Sequence, residues 1–109
     1  MGHLVDEDWA ELYRIAGEDW ADKEAAASVL EDTKGSVMAQ RQAALGDIAV
    51  NRAEQIVRAS PEWVNHINLI VQARKEANLA KVHLEVIRMK YMQEQTGQAN
   101  RRAEVRMLG

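Results

Sequence analysis

The sequence predicts an all-α protein: a helical hairpin or coiled coil with one long C-terminal helix, shorter N-terminal helices and an oligomeric state. Three observations lead there. One proline and six glycines in 109 residues leave long stretches without helix breakers. Ala, Glu, Arg, Lys, Gln and Leu are abundant, and each loses little side-chain entropy in a helix. β-Branched and aromatic residues never alternate with polar ones for more than a few positions, so strands have no support.

In chain order, residues 5–16 read as a short amphipathic helix. Trp9, Leu12, Tyr13 and Ala16 share one face, and Asp6, Glu7 and Asp8 fall in a first turn where the helix dipole favours acids. Gly17 is the expected stop. A second helix spans 18–45, with Ala26, Leu30, Thr33, Val37, Gln40 and Ala44 spaced as a heptad stripe, and Gly35 inside it. Gly46-Asp47 breaks that pattern. A third helix covers 48–59, with Ala49, Ala53, Ile56 and Val57 as its apolar face. Ser60 is a good N-cap and Pro61 suits the first helical position, which makes this the sharpest boundary in the chain.

From Pro61 nothing obliges the last helix to stop before Gly97 or the terminus. At 1.5 Å per residue it would form a rod of roughly 50–70 Å. Its stripe is Trp63, His66, Ile70, Ala73, Ala77, Ala80, Leu84, Ile87, Tyr91 and Glu94, spaced by three and four throughout, the signature of a coiled-coil seam. Ile67, Leu69, Val71, Leu79, Val82, Val86, Met89 and Met92 add a second apolar flank. The reading is that helix two folds back antiparallel on the long helix while the other face serves oligomerisation. The whole is expected to be one helical domain by length, with segments 1–17, 18–59 and 60–109. With no Phe, three Trp and two Tyr, its core must be thin and alanine-rich, or borrow surface from other copies.

Absence of cysteine removes disulfides, thiolate chemistry and cysteine-based zinc sites, and fits a reducing cytoplasm. No leader pattern and no membrane-length apolar run are seen, so a cytoplasmic protein without a membrane partner is expected. His66 and His83 are too far apart on one helix for joint metal coordination, and His3 stands alone. No phosphate loop, dinucleotide fingerprint or nucleophile elbow occurs. The expectation is no enzyme, no cofactor and no metal.

Charge is asymmetric. Residues 1–60 hold six Lys/Arg against twelve Asp/Glu, and residues 61–109 hold eight against five. Arg74, Lys81 and Arg88 are heptad-spaced, each one position after a seam residue. Lys75 and Lys90 lie nearby, and Arg101, Arg102 and Arg106 follow. Two readings stay open. The stripe could track a phosphate backbone, with Trp63 and Tyr91 offering stacking faces. It could instead pair with Glu24 and Glu31, which are also heptad-spaced on helix two. In a sharper variant, the acidic N-terminal segment stands in for nucleic acid over the basic region until displaced.

The stretch AEQIVRASPEWVNHINLIVQARKEANLAKVHLEVIRMKYM, then QEQTG and QANRRAE, from Ala53 to Glu104, is similar in layout to the UvsY-like recombination mediators of tailed phages. The resemblance implies a small phage-encoded helical oligomer in the host cytoplasm that binds single-stranded DNA and helps load a recombinase or another replication protein. It marks Arg74, Lys75, Lys81, Arg88 and Lys90 for DNA contact, with Arg101 and Arg102 beyond them. The competing expectation is an adaptor or assembly factor whose coiled coil is itself the function.

Overall fold

A computed structural model describes residues 8–108. The fold is all-α, with three helices among the described residues: α1 (Trp9–Ala44), α2 (Val50–Ala59) and α3 (Pro61–Leu108). His3, Asp6, Glu7 and the expected helix start at residue 5 lie outside the described residues.

The first helix begins at a cap. Asp8 Oδ1 accepts the Glu11 N–H at 3.1 Å, so one of the orphan donors of the first turn is satisfied. The expected stop at Gly17 does not occur, and α1 runs on for 36 residues. A helical glycine costs about 1 kcal/mol relative to alanine, and two local features offset it. Arg14 is hydrogen-bonded to Glu11 on one side and to Glu18 on the other, the latter at 2.7 Å and bridging Gly17. The apolar rhythm also continues past it, through Tyr13, Ala16 and Trp20.

Merging the first two expected helices changes the buried phase. The seam of α1 runs through Trp9, Tyr13, Ala16, Trp20, Lys23, Ala27 and Leu30, all buried or half-buried. Ala27 is fully buried, whereas Ala26, Gln40 and Ala44 of the expected stripe are exposed, and only Leu30, Thr33 and Val37 of it are half-buried. Thr33 resolves its polarity locally, since its hydroxyl donates to the Leu30 carbonyl at 2.8 Å.

At the end of α1, Gly46 takes a φ of +83°, a left-handed conformation that glycine adopts without a Cβ penalty. Then α2 starts at Val50, two residues later than expected, and buries Ala53 and Val57 while Ile56 stays largely exposed. Ser60 separates α2 from α3. Its Oγ donates to the Val57 carbonyl at 2.6 Å and accepts the Trp63 N–H at 3.2 Å, so one side chain closes one helix and opens the next. From there α3 continues for 48 residues, through Gly97. Every position of its seam from Trp63 to Glu94 is buried or half-buried.

The chain divides into two compact units. The central unit, Asp22–Asn78, packs the later part of α1, all of α2 and the start of α3 around Ala27, Ala53, Val57, Trp63 and Ala77. The terminal unit is formed by the described residues of Met1–Ala21 and of Leu79–Gly109. Here the start of α1 lies antiparallel to α3. Tyr13 meets Tyr91 with ring centroids 5.8 Å apart, and Leu84 lies 3.9 Å from the Cβ position of Gly17. Ala16 and Ala80 are buried in this unit.

Candidate functional site: basic residues and open helix faces

Within the central unit, Arg74 is a clasp between helices. Its Nε and Nη2 bond both oxygens of Glu31 at 3.0 and 2.5 Å, and its Nη1 bonds Glu24 at 2.6 Å. Glu24 and Glu31 stand two turns apart on α1, so a single planar guanidinium can bridge them, a geometry that suits Arg and not Lys. The hydrogen bond from Arg74 holds the Glu31 carboxyl below its ordinary value, and the two carboxylates in turn raise the Arg74 value. A carboxyl depressed in the folded state stabilises above its unfolded pKa. The contribution is therefore present at neutral pH and is lost on acidification through the depressed value. Arg74→Glu is expected to lower the thermal midpoint at low salt. Adding Glu24→Arg and Glu31→Arg should recover most of the loss, as read by circular dichroism melts; an unchanged midpoint in the single variant would show the clasp to be ornamental.

Lys81 and Arg88 lie in the terminal unit. Lys81 Nζ sits 6.0 Å from the centroid of the Trp20 ring, at the outer edge of cation–π range. Arg88 pairs with Glu85 at 3.6 Å on its own helix. Of the three heptad-spaced cations, Arg74 alone is held firmly between helices; Lys81 and Arg88 are exposed and their contacts are long. The Trp20 contact was not legible in the sequence, because ending a helix at Gly17 put Trp20 in the wrong segment. Its signal is the four-residue step from Ala16.

The remaining basic candidates do not converge. Lys75 is exposed in the central unit, and Lys90 is exposed on the side of α3 opposite Lys81. Residues 99–108 are all exposed, and Arg101, Arg102 and Arg106 there have no ion pair among the described residues. Of the aromatic candidates, Trp63 is 5% exposed, so its faces are used in packing, and Tyr91 is half-buried against Tyr13.

Among the described residues no group of three or more His, Asp or Glu could hold a metal ion. His83 is exposed; His66 is half-buried beside the Trp63 ring at 5.9 Å, with its Nε2 buried and unpaired. No described helix is long and apolar enough to cross a membrane.

The second apolar flank of α3 is open. In the terminal unit Leu79, Val82, Val86, Met89 and Met92 are each exposed by between 43 and 61%. In the central unit Leu69 and Val71 of the expected flank are similarly uncovered, as is Val64, whereas Ile67 is half-buried and does not belong to the open face. Comparison with family models, with curated proteins and with solved structures finds no match to this chain.

Proposed function

We propose that this chain is a non-enzymatic assembly protein, whose helices form a small packed scaffold and present open apolar faces to other protein chains, including copies of itself. One observation carries the reading. Arg74, which opens the basic stripe that would serve a polyanion, is clasped by Glu24 and Glu31, while most of the apolar flank of α3 is uncovered among the described residues. Charged side chains used as clasps fix a scaffold, and exposed apolar side chains at helical spacing are what a partner helix covers.

A second reading, binding of single-stranded nucleic acid as a recombination accessory of phage type, draws support from Arg101, Arg102 and Arg106, which are exposed. It moves the binding region from the middle of α3 to its C-terminal end. Both readings are tested on one preparation. Light scattering across a concentration series should give a mass above 12.3 kDa, and a monomer at every concentration would sink the self-assembly claim. Anisotropy with a labelled oligonucleotide at low and moderate salt tests the second reading. Replacing the three arginines by alanine should flatten the salt slope by about 2, because each phosphate left unneutralised removes roughly 0.7. No binding at low salt removes that reading.

A further inference from the structure

We infer that the outer face of α3 in the terminal unit is a parallel, in-register interface with a second copy of this chain. The inference rests on the assembly reading and specifies its surface, partner and direction. Leu79, Val82, Val86 and Met89 follow one another at steps of three, four and three, and the same rhythm continues through Gln93, Thr96 and Asn100. All four apolar members are exposed, by 58, 61, 43 and 57%. They lie on the side of α3 away from the seam of Ala80, Leu84, Ile87 and Tyr91, which is covered by α1. The apolar part from Leu79 to Met89 measures about 15 Å at 1.5 Å per residue, one and a half heptads, and Gln93, Thr96 and Asn100 continue its line with polar side chains.

The occupant follows from charge and polarity along the strip. Glu85 and Lys90 flank it on opposite sides, Glu85 just before Val86 and Lys90 just after Met89. In a parallel pair the residue before one core position faces the residue five further on in the partner. Glu85 of each copy then meets Lys90 of the other, giving two symmetric bridges. Glu85 is free to turn, because its present bond to Arg88 is 3.6 Å long and both side chains are about half exposed. Antiparallel pairing of the same four apolar residues would set Leu79 against Met89 and Val82 against Val86, and would bring Glu85 of each copy beside its own counterpart, a like-charge contact. Parallel alignment sets Gln93 against Gln93 and Asn100 against Asn100, where amides bond each other across the two-fold axis. Polar core positions of this kind fix register at some cost in affinity.

The chain has no cysteine, so one introduced thiol reports unambiguously. Met89→Cys is expected to cross-link to itself through a short bis-maleimide, since position 89 of each copy faces the other. A mixture of Leu79→Cys and Met89→Cys chains should give no 79–89 product, and finding that product in place of the 89–89 link would overturn the parallel arrangement. Val86→Glu with Met89→Glu should raise the dissociation constant by at least about 100-fold with an unchanged circular dichroism spectrum, since both side chains are exposed in the single chain. Glu85→Lys and Lys90→Glu should each weaken self-association, and mixing the two variants should restore it. An oligomer by light scattering without the 89–89 link overturns this surface and leaves self-assembly standing, whereas a monomer at every concentration removes both this surface and self-assembly.

Discussion

Trp63→Ala is expected to lower the unfolding free energy by about 3–5 kcal/mol, the range for deleting a large buried aromatic. The indole is 5% exposed in the first turn of α3, where the Ser60 hydroxyl holds its backbone N–H. The other buried side chains described in the central unit are Ala27, Ala53, Val57 and Ala77, three alanines and a valine. None has the length to collapse into the space an indole leaves, so the cavity cost adds to the lost transfer energy. Domains of this size have only about 5–15 kcal/mol in total, so urea denaturation should show the midpoint falling by a large fraction. A loss under about 1 kcal/mol would mean that α2 and α3 are not packed on this ring.

The second large effect separates two adjacent alanines. Ala27→Leu is expected to cost about 1–3 kcal/mol through overpacking, while Ala26→Leu should stay within about 0.5 kcal/mol. Ala and Leu have similar helix propensity, so the contrast isolates packing. Ala27 lies between Glu24 and Glu31, the two partners of Arg74, and Arg74 is one turn from Ala77. Ala27 and Ala77 are fully buried at the same level of the helix pair, and the absence of longer side chains there is what lets the backbones come close. Chemical denaturation of the two variants side by side checks the seam phase; equal effects at 26 and 27 would put the phase of α1 in error.

That pair also shows where the sequence was readable. The boundary at Ser60-Pro61 and the seam of α3 were legible because a cap, a proline and a run of Trp, Ile, Leu and Tyr at unbroken spacing all agree on one face. The phase of α1 was not. Ala25, Ala26 and Ala27 are chemically identical, so hydrophobicity cannot choose among them, and the choice depends on whether the helix is continuous through Gly17. Assigning a stop there restarted the count and selected Ala26. Continuity is accompanied by the Arg14 bridge across the glycine, an i,i+4 pair that sequence spacing already offers, and by Leu84 packed beside Gly17, which only the folded geometry reveals.

Among the candidate site residues, the pairing of Arg74 with Glu24 and Glu31 was visible as one of two open alternatives, because heptad spacing on two antiparallel helices brings such charges together. The partner of Lys81 was hidden, since it required the register of a helix whose start had been misjudged. The scatter of Lys75, Lys90, Arg101 and Arg102 over different faces follows from a straight 3.6-residue helix, on which proximity in sequence does not mean a shared side.

The Arg74 clasp joins residues 43 and 50 positions apart. During synthesis α1 therefore leaves the ribosome well before the helix that covers it. At about 5–20 residues per second, its Trp20, Ala27 and Leu30 face waits several seconds for α3. A nascent chain with such an uncovered stripe can pair with the same stripe on a neighbouring nascent chain. Like charge on the acids of α1 opposes such an encounter, and Arg74 neutralises two of them, Glu24 and Glu31, once α3 is in place.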